Sequence, residues 1–290
     1  MRRKMSCCLA AALLLVLLAG CGGPSAAQTD SPAPESQTAE TAPVPATPEP
    51  TPTPAPTPTP EPTPTPLPWP VYEFGVPVEE SDPVTDDSFF ENTVFLGDSR
   101  TEGLELFGGI KHGTYYWARG MSVFRADDEK YKIVSIDGED YTLLGALGQK
   151  SFDTVYIMIG VNELGYPAES YEAGLSRLVD GVIEAQPEAV VYLQIMPPLN
   201  DAMCRANGLS RYINNDNLQK FNEAIRRVAA EKKVALLNTA EVYTGEDGQL
   251  PEELAFDGCH FVIGAYTPWA NYLRSHVMDR ERYFYSREQA

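Results

Sequence analysis

Residues 93–104 read TVFLGDSRTEGL. The β-branched and apolar run over 93–96 predicts a strand bound for a core, and it stops at Gly97-Asp98-Ser99, ahead of a short helix over 101–107. Two readings of that turn are open. In one, Asp98 or Ser99 caps the helix, since short polar side chains accept the orphan amide protons of a first turn. In the other, the turn holds Ser99 out as a nucleophile, which needs a base and an orienting group nearby. The rest of the chain decides between them by what it brings to the carboxyl end of this strand.

Outward from that stretch, strands alternate with helices. Residues 114–117 read as a second strand ended by Arg119-Gly120, 131–136 with Asp137-Gly138 as a hairpin arm or an excursion, and 141–147 as a helix. The strongest strand is 154–159, TVYIMI, a continuous apolar run of the kind buried on both faces of a parallel sheet. Tyr171, Leu175, Leu178 and Val182 then recur at helical spacing, which predicts an amphipathic helix over 168–186. A strand over 190–195 stops at Pro197-Pro198. Leu218, Phe221, Ile225 and Val228 mark a second long helix, 234–237 a last strand, and the final helix lies between Gly264 and Val277. This alternation implies right-handed crossovers and an α/β fold with a parallel sheet covered on both faces.

Ligand sites in such sheets lie beyond the carboxyl ends of the strands. The turns of interest are Gly97-Asp98-Ser99, Arg119-Gly120, Gly160-Val161-Asn162 and the loop after Met196. The chain has three histidines. His112 falls in a glycine-flanked loop, and His276 reads as a surface residue of the last helix. His260, in FDGCHF, stands three residues after Asp257, a spacing that lets a carboxylate meet one ring nitrogen and leave the other free for a serine. Taken singly, Asp257 also reads as a cap, Asn162 as a turn residue and Gly120 as a strand terminator. Cys259 reads as a small buried thiol, and Cys204 and Cys259 are either free or joined in one disulfide.

Four ordered blocks, Gly97-Asp98-Ser99, Gly120, Gly160-Val161-Asn162 and Asp257-Gly258-Cys259-His260, together resemble those of the GDSL or SGNH hydrolase family. The resemblance covers residues 92 to 280. It implies a three-layer α/β/α flavodoxin-like fold with a central parallel sheet, and serine esterase activity without a cofactor or metal. Carried over, Ser99 is the nucleophile, His260 the general base and then acid, and Asp257 its orienting partner. The oxyanion hole is made by the amides of Ser99 and Gly120 and the side chain of Asn162. The family's usual leucine after the serine is Arg100 here, which sets the surroundings of the nucleophile, and hence the substrate, apart. An O-acyltransferase of glycans with the same triad, or a non-catalytic carbohydrate-binding module, are the rival readings.

Ahead of this domain, expected over 86–290, two further segments are distinct. Arg2, Arg3 and Lys4 precede an apolar run over 9–19, the layout of an export signal over 1–20. It ends Leu18-Ala19-Gly20-Cys21, which resembles a bacterial lipobox and implies acylation of Cys21 as a membrane anchor. Between Pro48 and Pro70 every second residue is proline, so the segment expected over 21–85 is an extended, solvated spacer. About sixty such residues reach on the order of 100 to 190 Å. Residues 86–290 carry 19 Lys and Arg against 32 Asp and Glu, with no basic run, so nucleic acid is not an expected partner. The expected substrate is a short acyl ester, acetyl first, on a cell-envelope or environmental carbohydrate, met by an exported, lipid-anchored enzyme.

Overall fold

The computed structural model describes residues 69–81 and 85–290. The export signal, Cys21 and most of the proline-rich spacer lie outside the described residues. In chain order the strands are β1 (Thr93–Gly97), β2 (Thr114–Trp117), β3 (Val134–Ile136), β4 (Glu139–Tyr141), β5 (Thr154–Met158), β6 (Val190–Gln194) and β7 (Ala235–Leu237). The helices are α1 (Ser99–Phe107), α2 (Leu143–Leu147), α3 (Ala168–Ala185), α4 (Asp201–Ala206), α5 (Asn215–Lys232), α6 (Tyr266–Ser275) and α7 (Arg280–Gln289).

Five strands form one parallel sheet in the order β2-β1-β5-β6-β7, and β3-β4 form a separate antiparallel hairpin. Counting sheet strands alone, this is the flavodoxin-like order, which reverses direction between β1 and β5. Each of β1, β5 and β6 is buried along its whole length. The reason is in the alternation of their side chains. Val94, Leu96, Val155, Ile157, Val191 and Leu193 pack beneath α2, α3 and α5, while Phe95, Tyr156, Met158 and Tyr192 pack beneath α1, α6 and α7. On the second face four rings stack across neighbouring strands. Tyr115 lies 4.6 Å from Phe95, Phe95 5.2 Å from Tyr156, and Tyr156 4.7 Å from Tyr192. Such cross-strand aromatic pairs are a main source of sheet stability.

The hairpin turns through Asp137 (φ 52°) and Gly138 (φ 88°), a two-residue turn of the type that matches strand twist. Tyr141 belongs to β4, so the helix expected from 141 starts at Leu143, capped by the Thr142 side chain.

Three expectations need correction. The boundary at residue 86 is too late: Tyr72 and Val78 are buried, and Val78 N donates to Leu236 O at 2.8 Å beside a parallel bridge from Pro77 to Leu236. The Leu236 amide donates to the Tyr72 hydroxyl at 3.1 Å, and the Tyr72 amide to Ser286 Oγ at 2.8 Å. Residues 71–78 thus cover the open edge of β7, which would otherwise expose unpaired backbone. The last helix is α7, beyond the one expected; Asp279 caps it through the Arg282 amide. Between α6 and α7, His276 is not a surface residue. Its ring stacks on Tyr272 at 3.7 Å and its Nδ1 lies 3.0 Å from Tyr272 O.

Candidate active site

At Gly97-Asp98-Ser99 the cap is formed, and the serine hydroxyl also meets an imidazole. Asp98 is the N-cap of α1, its Oδ1 accepting from the Arg100 amide at 2.9 Å, and Ser99 is the first helical residue. The cap fixes where Ser99 points. Its Oγ lies 2.9 Å from His260 Nε2, and His260 Nδ1 lies 2.8 Å from Asp257 Oδ2. The other Asp257 oxygen accepts from the amides of Cys259 (2.9 Å) and His260 (2.7 Å). Burial pushes the Asp257 carboxyl up, but the hydrogen bonds from the His260 ring, the His260 amide and the Cys259 amide outweigh it and hold the group well below the usual carboxylate range. An ionised Asp257 accepts a proton-bearing Nδ1, which leaves Nε2 as the acceptor facing Ser99. The loop that achieves this needs Gly258, whose φ is +96° and whose absent side chain would fall 2.5 Å from the Cys204 amide nitrogen.

Gly120, with φ +71°, and Asn162 line the same cleft as Ser99 and His260, an open trough of about 630 Å³. Among the described residues, no protein group accepts from the amides of Ser99 or Gly120. Asn162 stands on the loop after β5. Its Nδ2 donates to Met121 O at 3.0 Å and, more weakly, to Asp98 Oδ2 at 3.4 Å. The weaker of these is the bond that a charged oxygen in the cleft would compete for. Ser99, Gly120, Asn162, Asp257 and His260 are thus brought to one place, with Asn162 engaged by its own neighbours.

Arg100, in the place of the family's usual leucine, is buried. Its side chain does not face the cleft; it is 1% exposed and runs beneath it. There Nε donates to Cys259 O at 3.1 Å and Nη1 to Pro197 O at 3.4 Å, Nη2 lies 3.8 Å from Cys259 Sγ, and the guanidinium sits 5.4 Å from the centre of the Phe261 ring. One side chain therefore ties the residue after the nucleophile to the residues flanking the histidine. Cys204 and Cys259 are both buried free thiols.

Two groups escaped sequence reasoning. Glu163, next to Asn162, is wholly buried, with Oε1 accepting from the Val123 amide at 2.6 Å and Oε2 without a partner among the described residues. It props the loop that follows Gly120. Burial pushes its carboxyl up to about 7, against hydrogen bonds from Val123 and Ser122. Glu102, one turn after Ser99, receives a two-pronged bond from Arg119, at 2.7 Å from Nε and 2.6 Å from Nη2. Both glutamates carried the one available signal, adjacency to a recognised block. Among the described residues, no cluster of His, Cys, Asp and Glu stands ready to hold a metal ion, and no helix is long and apolar enough to cross a membrane.

Residues 95–262 match the model of the GDSL-like lipase/acylhydrolase family. No curated protein matches the chain. Among solved structures, similarity extends to a Streptococcus pneumonia protein provisionally named a platelet activating factor (TM-score 0.48, 21% identity, 63% of this chain and 82% of that one). It extends also to a GDSL-like lipase from Bacteroides thetaiotaomicron (0.45, 16%, 63% and 85%) and to LAE5, an alpha/beta hydrolase from the metagenome of Lake Arreo (0.44, 18%, 64% and 95%). The family match alone carries the assignment that follows.

Two outcomes are expected from this geometry. Arg100→Leu should strand the carbonyls of Cys259 and Pro197 and loosen the histidine loop, lowering kcat on p-nitrophenyl acetate roughly a hundredfold; an unchanged kcat would show that the tie is dispensable. Glu163 has a folded pKa above its unfolded value, so its contribution to stability is complete below about pH 4.5 and is lost as pH rises through about 7. Glu163→Gln should therefore flatten the decline in unfolding free energy between about pH 5 and 8, by up to about 3 kcal/mol, in urea titrations. Parallel declines in parent and variant would remove Glu163 as the source.

Proposed function

Because the chain belongs to the GDSL-like lipase/acylhydrolase family, it is an ester hydrolase, and we propose that it is an exported serine esterase, lipid-anchored through Cys21 outside the cytoplasm, that removes short acyl groups, acetyl first, from cell-envelope or environmental carbohydrates. The observation that carries the catalytic part is the unbroken relay from Ser99 Oγ to His260 Nε2 (2.9 Å) and from His260 Nδ1 to Asp257 Oδ2 (2.8 Å). Hydrogen-bond reach between nucleophile, base and orienting acid is the geometric requirement for acyl transfer through a serine.

In the proposed reaction Ser99 Oγ attacks the ester carbonyl carbon as its proton passes to His260 Nε2. The carbonyl oxygen takes the negative charge, facing the amides of Ser99 and Gly120 and the Asn162 side chain, which turns from Asp98 to meet it. Asp257 stabilises the imidazolium that forms. The C–O bond then breaks, and His260 delivers the proton to the departing alcohol. Water repeats the cycle on the acyl-enzyme, with His260 first base and then acid, and frees the carboxylic acid.

Support for a polymer-borne ester comes from the openness of the site. The His260 side chain is 37% exposed and the cleft is a surface trough, so an ester held on a large alcohol reaches Ser99 without entering a tunnel. A mere binding module would have no use for the ionised Asp257 or the aligned imidazole.

Ser99→Ala should abolish turnover of p-nitrophenyl acetate while the protein stays folded, and Asn162→Ala should lower kcat roughly a hundred- to a thousandfold. Turnover by Ser99→Ala equal to that of the parent would sink the nucleophile assignment, and an Asn162→Ala effect confined to KM would remove its oxyanion role.

A further inference from the structure

A second cleft, of about 560 Å³, adjoins the catalytic trough and shares Arg119 with it. Its walls are Glu105 of α1, Tyr115 and Trp117 of β2, and Ile133 to Ser135 of the hairpin. Its floor is β2, the edge strand of the sheet, whose outer backbone has no neighbouring strand among the described residues. The register places Trp117 beside Gly97, two residues before Ser99, so adjacent strands separate this indole from the nucleophile turn by only about 5 Å of backbone. Trp117 is half-buried, and its Nε1 donates to Glu105 Oε2 at 2.5 Å, which fixes the plane of the ring. Arg119, which lines both clefts, is paired with Glu102 of the catalytic trough. The Arg119 side chain is 78% exposed, so it can swing without unpacking anything.

We propose that the two clefts act as one trough and that the second is a subsite for an uncharged glycan, holding the sugar residues that flank the esterified one. This rests on the esterase reading above and adds the identity of the alcohol. A sugar ring has an apolar C–H face and a polar rim. A fixed indole offers the first a flat apolar platform, and the Glu105 carboxylate, the Arg119 guanidinium and the edge amides and carbonyls of β2 offer the second donors and acceptors. Charge selects the neutral members of the class. Glu102 and Glu105 lie along the trough, in a folded region with 19 basic against 32 acidic residues, so a polyanionic glycan would be repelled.

The test uses the full chain and acetylated glucomannan, a neutral polymer, as probe. Ser99→Ala should be retarded in gels containing the polymer. Adding Trp117→Ala should abolish the retardation, and Glu105→Ala, a change at an exposed helix position that frees the indole, should weaken it. In the Ser99 background, Trp117→Ala should lower the ratio of kcat/KM on the polymer to kcat/KM on p-nitrophenyl acetate at least tenfold. Absence of retardation by Ser99→Ala, an unaltered ratio, or retention of polymer binding by both variants would overturn the subsite. So would binding of extended peptides along β2 in place of the glycan. Loss of the difference between Ser99 and Ser99→Ala on p-nitrophenyl acetate would instead count against the esterase reading, so the two failures are distinguishable.

Discussion

The register of β1 is the constraint on which the molecule turns. β1 pairs in parallel with β2 on one side and β5 on the other, which sets Gly97 level with Trp117 and with Met158. Three strands therefore end together, and the loops that carry Ser99, Gly120 and Asn162 start from a common line at the point where the strand order reverses. A shift of one residue in β1 would exchange the side chains packed on its two buried faces and move Ser99 off that line. Gly97 guards this register: a side chain there would fall 1.8 Å from Thr101 Oγ1 and 2.9 Å from Met158 O. The first turn of α1 lies too close to β1 and β5 for anything but hydrogen.

Beneath that line the protein buries ionisable groups that most cores omit. Asp98, Arg100 and Glu163 are all almost fully enclosed, and each is attached to backbone: Asp98 to the Arg100 amide, Arg100 to the Cys259 and Pro197 carbonyls, Glu163 to the Val123 amide. Burying such groups is costly unless hydrogen bonds replace lost water. Here the return is positional. Together they bond the turn before α1, the histidine loop, the segment at Pro197 and the loop after Gly120, so a polar layer adds direction to the apolar packing of Met121, Val123 and Phe261. Burial pushes the Asp98 carboxyl up, opposed by the Arg100 amide and the Arg100 charge.

The sheet was legible because its strands are buried on both faces and so are written as unbroken apolar runs, with TVYIMI the plainest. The candidate site was legible because its residues stand in short ordered blocks, two after sheet strands at Ser99 and Asn162 and one in the loop of Asp257 and His260. What escaped reading depends on distant contact. Residues 71–78 look like the tail of a proline-rich spacer, and only the open edge of β7, more than 150 positions later in sequence, makes them structural. The placement of Arg100 could not be read from its following Ser99, because one step along a helix rotates a side chain by about 100°, and that rotation carries it under the site. His276 looked exposed because a helix was expected to continue around it; the chain instead leaves α6 there, and the ring turns back onto Tyr272 of that helix.

The covering strand also settles where the molecule takes mechanical load. Because it runs parallel to β7, the residues that precede Pro77 lie toward the amino ends of the strands, where Pro70 O accepts from Arg282 of α7. Ser99, Gly120 and Asn162 sit at the opposite pole. Force applied to the chain at Pro70 therefore enters at that pole and passes into β7 and α7. The loops that carry Ser99, Gly120 and Asn162 lie off that path, so a pull there leaves their alignment to the sheet alone.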